Sequence, residues 1–131
     1  MGFFGKADPL AKLTADAERK PKDVKLALEL AGMLKAKGAQ ATAIEHYMRA
    51  VNLYVEQGFA TKAVAVAKQV ISFAPNVIEP HEFLAKHYET NNLKEELRLT
   101  LKTLVRLYSE AGRGDDSDRA RNQMNGLGPG R

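Results

Sequence analysis

Hydrophobic positions recur along this chain at helical spacing, and nowhere do they alternate with the period of two that marks a strand. Asp8-Pro9 opens a short helix, with an N-cap followed by proline at the first helical position. It runs to about Arg19, and Lys20-Pro21 ends it because the residue before a proline is pushed out of the α region. The next helix is predicted over 22–37. Leu26, Leu30, Met33 and Leu34 form its stripe, the small residues Ala27, Ala31 and Gly32 admit a close neighbour, and Gly38 is its stop.

A third helix is predicted over 40–57, closed by Gly58. Ile44, Tyr47, Met48, Val51, Tyr54 and Val55 make one apolar stripe, with Ala43 and Ala50 beside it. Glu45, Arg49, Asn52 and Glu56 make the polar face, and Glu45 and Arg49 stand four apart in the favourable order for an ion pair. The fourth helix, 60–73, is apolar around most of its girth and is expected to be buried between two layers. Pro75-Asn76 ends it. A fifth follows over 77–91 with Val77, Leu84 and Tyr88 inward and Pro80 in its tolerant first turn. The sixth, 94–111, buries Leu97, Leu101, Leu104, Val105 and Tyr108, leaving Leu99 and Leu107 off the stripe. Gly112 caps it.

The prediction is therefore an all-α chain of about six helices and no strands, joined by short turns into antiparallel hairpins. Residues 1–21 form an N-terminal segment with the short helix, 22–112 the helical domain, and 113–131 a tail. The tail is rich in glycine and charge and is expected to be flexible; a short helix over 116–124 packing Met124 or Leu127 is the alternative.

Self-alignment gives a period. Tyr54 and Tyr88 are 34 residues apart, as are Gly58 and Asn92, and Ala63 and Leu97. With that spacing the chain resembles the tetratricopeptide-repeat family over about residues 22–112. In 44–77 the family's places hold Tyr47, Ala50-Val51, Tyr54, Gly58, Ala63, Ala67, Val70 and Pro75. In 78–111 they hold His81, Leu84-Ala85, Tyr88, Asn92, Leu97, Leu101, Leu104 and Ser109. A third match, from Val24, carries Ala27, Leu30-Ala31, Leu34, Gly38, Ala43, Tyr47 and Ala50, but is offset by 20 residues and shares the helix 40–57.

The resemblance, which looks bacterial in type, implies an α-solenoid that binds a peptide or partner helix in its concave groove. Carried over by position, the groove would show Arg49, Asn52, Glu56, Glu82, Phe83, Lys86 and Glu89. Asn52 and Lys86 suit a carboxylate clamp, which Glu82 and Glu89 oppose. Phe83 lies off its helix's stripe, either packed on a neighbour or free as an aromatic anchor. The resemblance implies a non-enzymatic adaptor. Two other readings stand beside it: a homodimer through Leu99 and Leu107 on the terminal helix, and a regulatory subunit of a bacterial motility, polarity or secretion complex.

Composition narrows these readings. The 131 residues carry 44% hydrophobic and 27% charged positions, ordinary for a globular domain, and no cysteine. The net charge of +4 is spread along the chain, which argues against a nucleic-acid partner. No apolar run reaches the length of a membrane span; Phe3 and Phe4 form at most a small anchor. A cytoplasmic location is expected. His81 and His87 stand six apart, which puts them on different helix faces, so no metal site is expected. The Arg113-Gly114-Asp115 triplet is not expected to act in adhesion. No nucleophile elbow or phosphate loop appears, so neither catalysis nor a cofactor is expected.

Overall fold

The computed structural model describes residues 8–129; Phe3 and Phe4 lie outside them. Seven helices are present among the described residues, and no strand: α1 (Pro9–Arg19), α2 (Val24–Ala36), α3 (Gln40–Glu56), α4 (Ala60–Phe73), α5 (Ile78–Thr90), α6 (Lys94–Glu110) and α7 (Gly114–Asn125). No helix among the described residues is long and apolar enough to cross a membrane. The chain divides into two compact units, with the border inside α4 between Val66 and Ala67.

In the first unit α2 packs on α1 and α3. Asp8 and Asp23 cap α1 and α2, their carboxylates accepting from the amides of Ala11 and Leu26. Small residues make the α2–α3 seam: Val24 and Ala27 of α2 meet Ala50 and Leu53 of α3, with Leu28 and Tyr54 against them. The expected α2 stripe is therefore rotated. Ala27 and Ala31 are buried beside Leu30, while Leu26, Met33 and Leu34 are only half-buried. Close approach of the two backbones favours the small residues over the large ones. On α3, Ile44, Tyr47, Met48 and Val51 are buried as expected, but Val55 is exposed and Leu53 takes the inward place. Arg49 turns away from Glu45. Its guanidinium donates to the Pro21 carbonyl at 2.6 Å, and the Gln57 amide donates to the Lys22 carbonyl at 3.2 Å, so α3 holds the α1–α2 turn.

Along α4, Ala63, Val66, Ala67 and Val70 are buried, Val64, Ile71 and Phe73 half-buried and Ala60 exposed. In the second unit α6 packs on both α5 and α7. The region expected as a flexible tail is thus largely helical. Its glycines and charges suggested disorder, but Ser117 and Ala120 give α7 a narrow buried edge, and Leu107, expected off the buried stripe, is itself buried.

Four helix reversals share one geometry. Gly38, Gly58, Asn92 and Gly112 have φ of 84°, 84°, 56° and 75°. The following amide returns to the carbonyl five residues back: Ala39 to Leu34, Phe59 to Tyr54, Leu93 to Tyr88 and Arg113 to Tyr108, at 2.8–2.9 Å. These turns are separated by 20, 34 and 20 residues, so the repeating unit is 54 residues long and contains three helices. Val24 and Ile78, Gln40 and Lys94, and Ala60 and Gly114 begin equivalent helices 54 positions apart. Pro21, Pro75 and Pro129 fall at the same interval. The 34-residue period found in the sequence is one interval of this longer unit, and the 20-residue offset is the other. The best-preserved stretch is 51–58 against 105–112, which share Val, Leu, Tyr, Glu and Gly at matching places.

Three substitutions test the stability of this frame. Tyr47 is 4% exposed, so Tyr47→Ala should cost about 3–5 kcal/mol in a denaturant titration. Gly58→Ala should cost about 1–2 kcal/mol because its turn is left-handed, whereas Asn92→Gly should be neutral or stabilising in the same assay.

Candidate functional site

The second unit contains an open cleft of about 400 Å³. Its walls are α5 and α7 and its floor is α6. Leu101, Leu104 and Tyr108 recur along one face of α6 at helical spacing and line the floor, with Ala85 and Ala120 low on the walls. The rim carries Glu82, Lys86 and Glu89 from α5 and Asp116, Arg119 and Gln123 from α7. This size and its apolar floor with a polar rim suit a ligand side chain or short segment.

Helix α7 is held in place mainly through its first turn. The Ser117 hydroxyl, 2% exposed as a residue, donates to the Val105 carbonyl at 3.0 Å and lies 2.9 Å from the Ser109 hydroxyl. Arg113 then links three groups. Its Nε donates to Asp116 at 2.7 Å, its guanidinium lies 4.7 Å from the centre of the Tyr108 ring, and it stands 3.9 Å from the Glu82 carboxylate. The Tyr108 hydroxyl donates to Glu82. Burial, and next this bond to a carboxylate, push the phenol's pKa up, so it stays a donor. Asp116 also accepts from Arg119, and its carboxyl is held below the usual range chiefly by Arg113. Farther along, the Gln123 amide donates to Glu89 at 3.0 Å, and Arg98 donates to the Gly128 carbonyl at 2.8 Å. Each exposed pair contributes little stability alone. Together they set the position of α7 against α5 and so define the cleft.

The structure brings together three of the residues that the sequence placed on a groove: Glu82, Lys86 and Glu89. Phe83 is not among the cleft-lining residues. It stacks on His87, with ring centres 6.3 Å apart and planes at 19°. Arg49, Asn52 and Glu56 belong to the first unit, where Asn52 and Glu56 are exposed and Arg49 is committed to Pro21. His81 is buried, with Nε2 2.8 Å from the Pro75 carbonyl. Leu107 is 3% exposed, which removes it from the expected dimer face; Leu99 stays 67% exposed. Asp116, Arg119 and Gln123 lie outside the sequence expectation, which makes 113–131 a flexible tail and gives its alternative helix over 116–124 Met124 or Leu127, not Ser117 and Ala120, as packing residues. The signal for them was present in the 54-residue period, which makes α7 the counterpart of α4.

That period also shows where the two halves differ. The first half holds Leu28, Gly32, Phe59, Lys62 and Ala65 at the places of Glu82, Lys86, Arg113, Asp116 and Arg119. There Tyr54 meets the edge of Phe59 and Leu28 packs on the α2–α3 seam. Lys62 holds its ammonium 5.9 Å from the centre of the Tyr54 ring. In the second half Tyr108 meets the Arg113 cation and also donates to the Glu82 carboxylate. One backbone pattern thus carries an aromatic pair with a lysine over it in one half and an arginine–carboxylate network in the other.

Removing residues 114–131 should uncover the α7 side of α6, including Leu101 and Leu104, and cause self-association visible by light scattering; a monomeric truncation would show that α7 is not the cover. Because folding lowers the Asp116 pKa below 3.8, its contribution is complete above pH 3.8 and is lost as pH falls through the folded value. Asp116→Asn should therefore melt earlier than the parent at pH 7, with the difference shrinking toward pH 2. No family model and no characterised protein matches this sequence, so the geometry of the cleft carries the functional reading.

Proposed function

We propose that this protein is a non-enzymatic adaptor that binds a peptide or partner helix in the cleft between α5 and α7. The observation that carries the reading is the contrast between the cleft's apolar floor and its pre-arranged rim. Leu101, Leu104 and Tyr108 make a close-packed apolar floor, while Glu82, Glu89 and Asp116 already have partners within the chain. A ligand can then rest between the rims without displacing a carboxylate from its partner. Binding on a cleft preset by hydrogen bonds also loses less ordering entropy than binding on a mobile surface. The resemblance to tetratricopeptide repeats, whose grooves take peptides, points the same way.

The test uses two exposed rim residues. The double variant Lys86→Glu with Arg119→Glu should melt within a few degrees of the parent, since neither side chain is in the core. It should lose at least tenfold in affinity for whatever polypeptide co-purifies with the parent from its native cell. A folded variant that captures the same polypeptide at parental affinity would overturn the cleft as the binding site.

A further inference from the structure

Helix α7 ends on Asn125 with Gly126 as its C-cap, and Asn125 is the one asparagine of the sequence that precedes a glycine. The equivalent places in the first half hold Ile71 and Ser72, so the pair belongs to the second half alone. Both of its residues are exposed. Gly126 has φ of −69° and ψ of −13°, and a β-carbon on it would meet the Asn122 and Gln123 carbonyl oxygens at 3.5 Å, an ordinary contact. Neither the backbone nor the space demands glycine here, unlike at Gly38, Gly58 and Gly112. What glycine supplies after Asn125 is a main-chain nitrogen with no side chain beside it to obstruct an attack.

We propose that Asn125-Gly126 is a site of spontaneous deamidation, gated by the clasp that fastens the end of α7 to α6. The Gly126 nitrogen gives up its proton and attacks the carbonyl carbon of the Asn125 side chain. The side-chain nitrogen leaves as ammonia, taking up that proton, and a five-membered succinimide closes. Water then opens the ring at one carbonyl or the other. The product is aspartate, or isoaspartate with the main chain running through the side-chain carbon.

In the closed helix the attack is blocked. The Gly126 amide donates to the Asn122 carbonyl at 3.0 Å, the Leu127 amide to Met124 at 3.1 Å and the Gly128 amide to Asn125 at 3.3 Å. The nucleophile is released only when this last turn opens locally. Two contacts oppose the opening. Arg98 of α6 donates to the Gly128 carbonyl at 2.8 Å, and Leu127, half-buried, lines a small cavity of about 110 Å³ with Tyr88, Leu93 and Leu97.

The product undoes the fastening. Aspartate at the end of α7 puts negative charge where the helix dipole is already negative. Isoaspartate lengthens the main chain by one carbon, so the amides of Gly126, Leu127 and Gly128 no longer match their carbonyls. Gly128 then leaves Arg98 and Leu127 leaves its cavity. Gln123, two residues before the site, is loosened from Glu89, and the cleft loses the far end of its α7 wall. This one-way loosening is independent of what the cleft binds.

The test follows amide-to-acid conversion along the full chain by peptide mass mapping during incubation at mildly alkaline pH. Conversion should concentrate at Asn125 and run about tenfold or more slower in the folded parent than in the same chain unfolded in urea. Gly126→Ala should melt at or above the parent and convert at least about tenfold more slowly, because the β-carbon obstructs the nitrogen. Arg98→Ala should convert about two- to fivefold faster than the parent when folded and at the parent's rate in urea. Converted protein should exchange the amides of Gly126, Leu127 and Gly128 faster and melt a few degrees lower. A folded parent that stays unconverted while the urea-unfolded chain reacts overturns the site. A folded rate equal to the urea rate, or a folded Arg98→Ala that converts no faster than the parent, overturns the gate. Should Arg98→Ala not fold, the folded-to-urea ratio of the parent and the Gly126→Ala comparison still decide the proposal.

Discussion

The architecture depends on one backbone constraint, the left-handed residue that reverses the chain after α2, α3, α5 and α6. At each reversal the amide beyond that residue returns to a carbonyl five positions back, so the exit direction of the next helix is set locally. Three of the four residues are glycine, which adopts this conformation without steric cost; the fourth, Asn92, is the side chain that tolerates it best. Because the turns are alike, equivalent helices receive equivalent neighbours within each unit. Leu30 and Leu84, Ala31 and Ala85, and Leu53 and Leu107 are buried at matching places.

The difference between the halves lies in side-chain volume and charge, not in backbone. In the first unit α2 and α3 meet through alanines, and the Tyr47 phenol occupies the room left by Gly32. At the equivalent places Ala43 becomes Leu97 and Ala50 becomes Leu104, while Tyr47 becomes Leu101. The helices stay packed, and bulk that the first half concentrates in Tyr47 is spread in the second over Leu101 and Leu104, which both line the cleft. The polar residues that replaced Leu28, Phe59 and Lys62 then tie α7 down by its first turn. A narrow buried edge of Ser117 and Ala120 would be weak on its own. The bonds to Val105, Glu82 and Glu89 give the helix a defined register.

Helix positions were legible in the sequence because each depends on nearby residues. Asp8-Pro9 and Pro21 bound α1, Gly58 closes α3, and the spacing of Leu97, Leu101, Leu104 and Tyr108 sets the inward face of α6. The apolar stripe of α2 was legible only in part, since its inward face is chosen by how close α3 comes. That approach selects Ala27 and Ala31 over Met33 and Leu34.

What the chain alone determined was the helical class and the turns, because periodicity and capping act over a few residues. Only the tertiary structure decided that α7 is ordered, that Leu107 is covered, that Arg49 serves Pro21 and not Glu45, and that Phe83 stacks on His87 outside the cleft. All but the last are settled by groups distant in sequence; Phe83 and His87 stand one helical turn apart on α5. A hydroxyl such as that of Ser117 reads as a surface residue until α6 supplies the Val105 carbonyl that binds it.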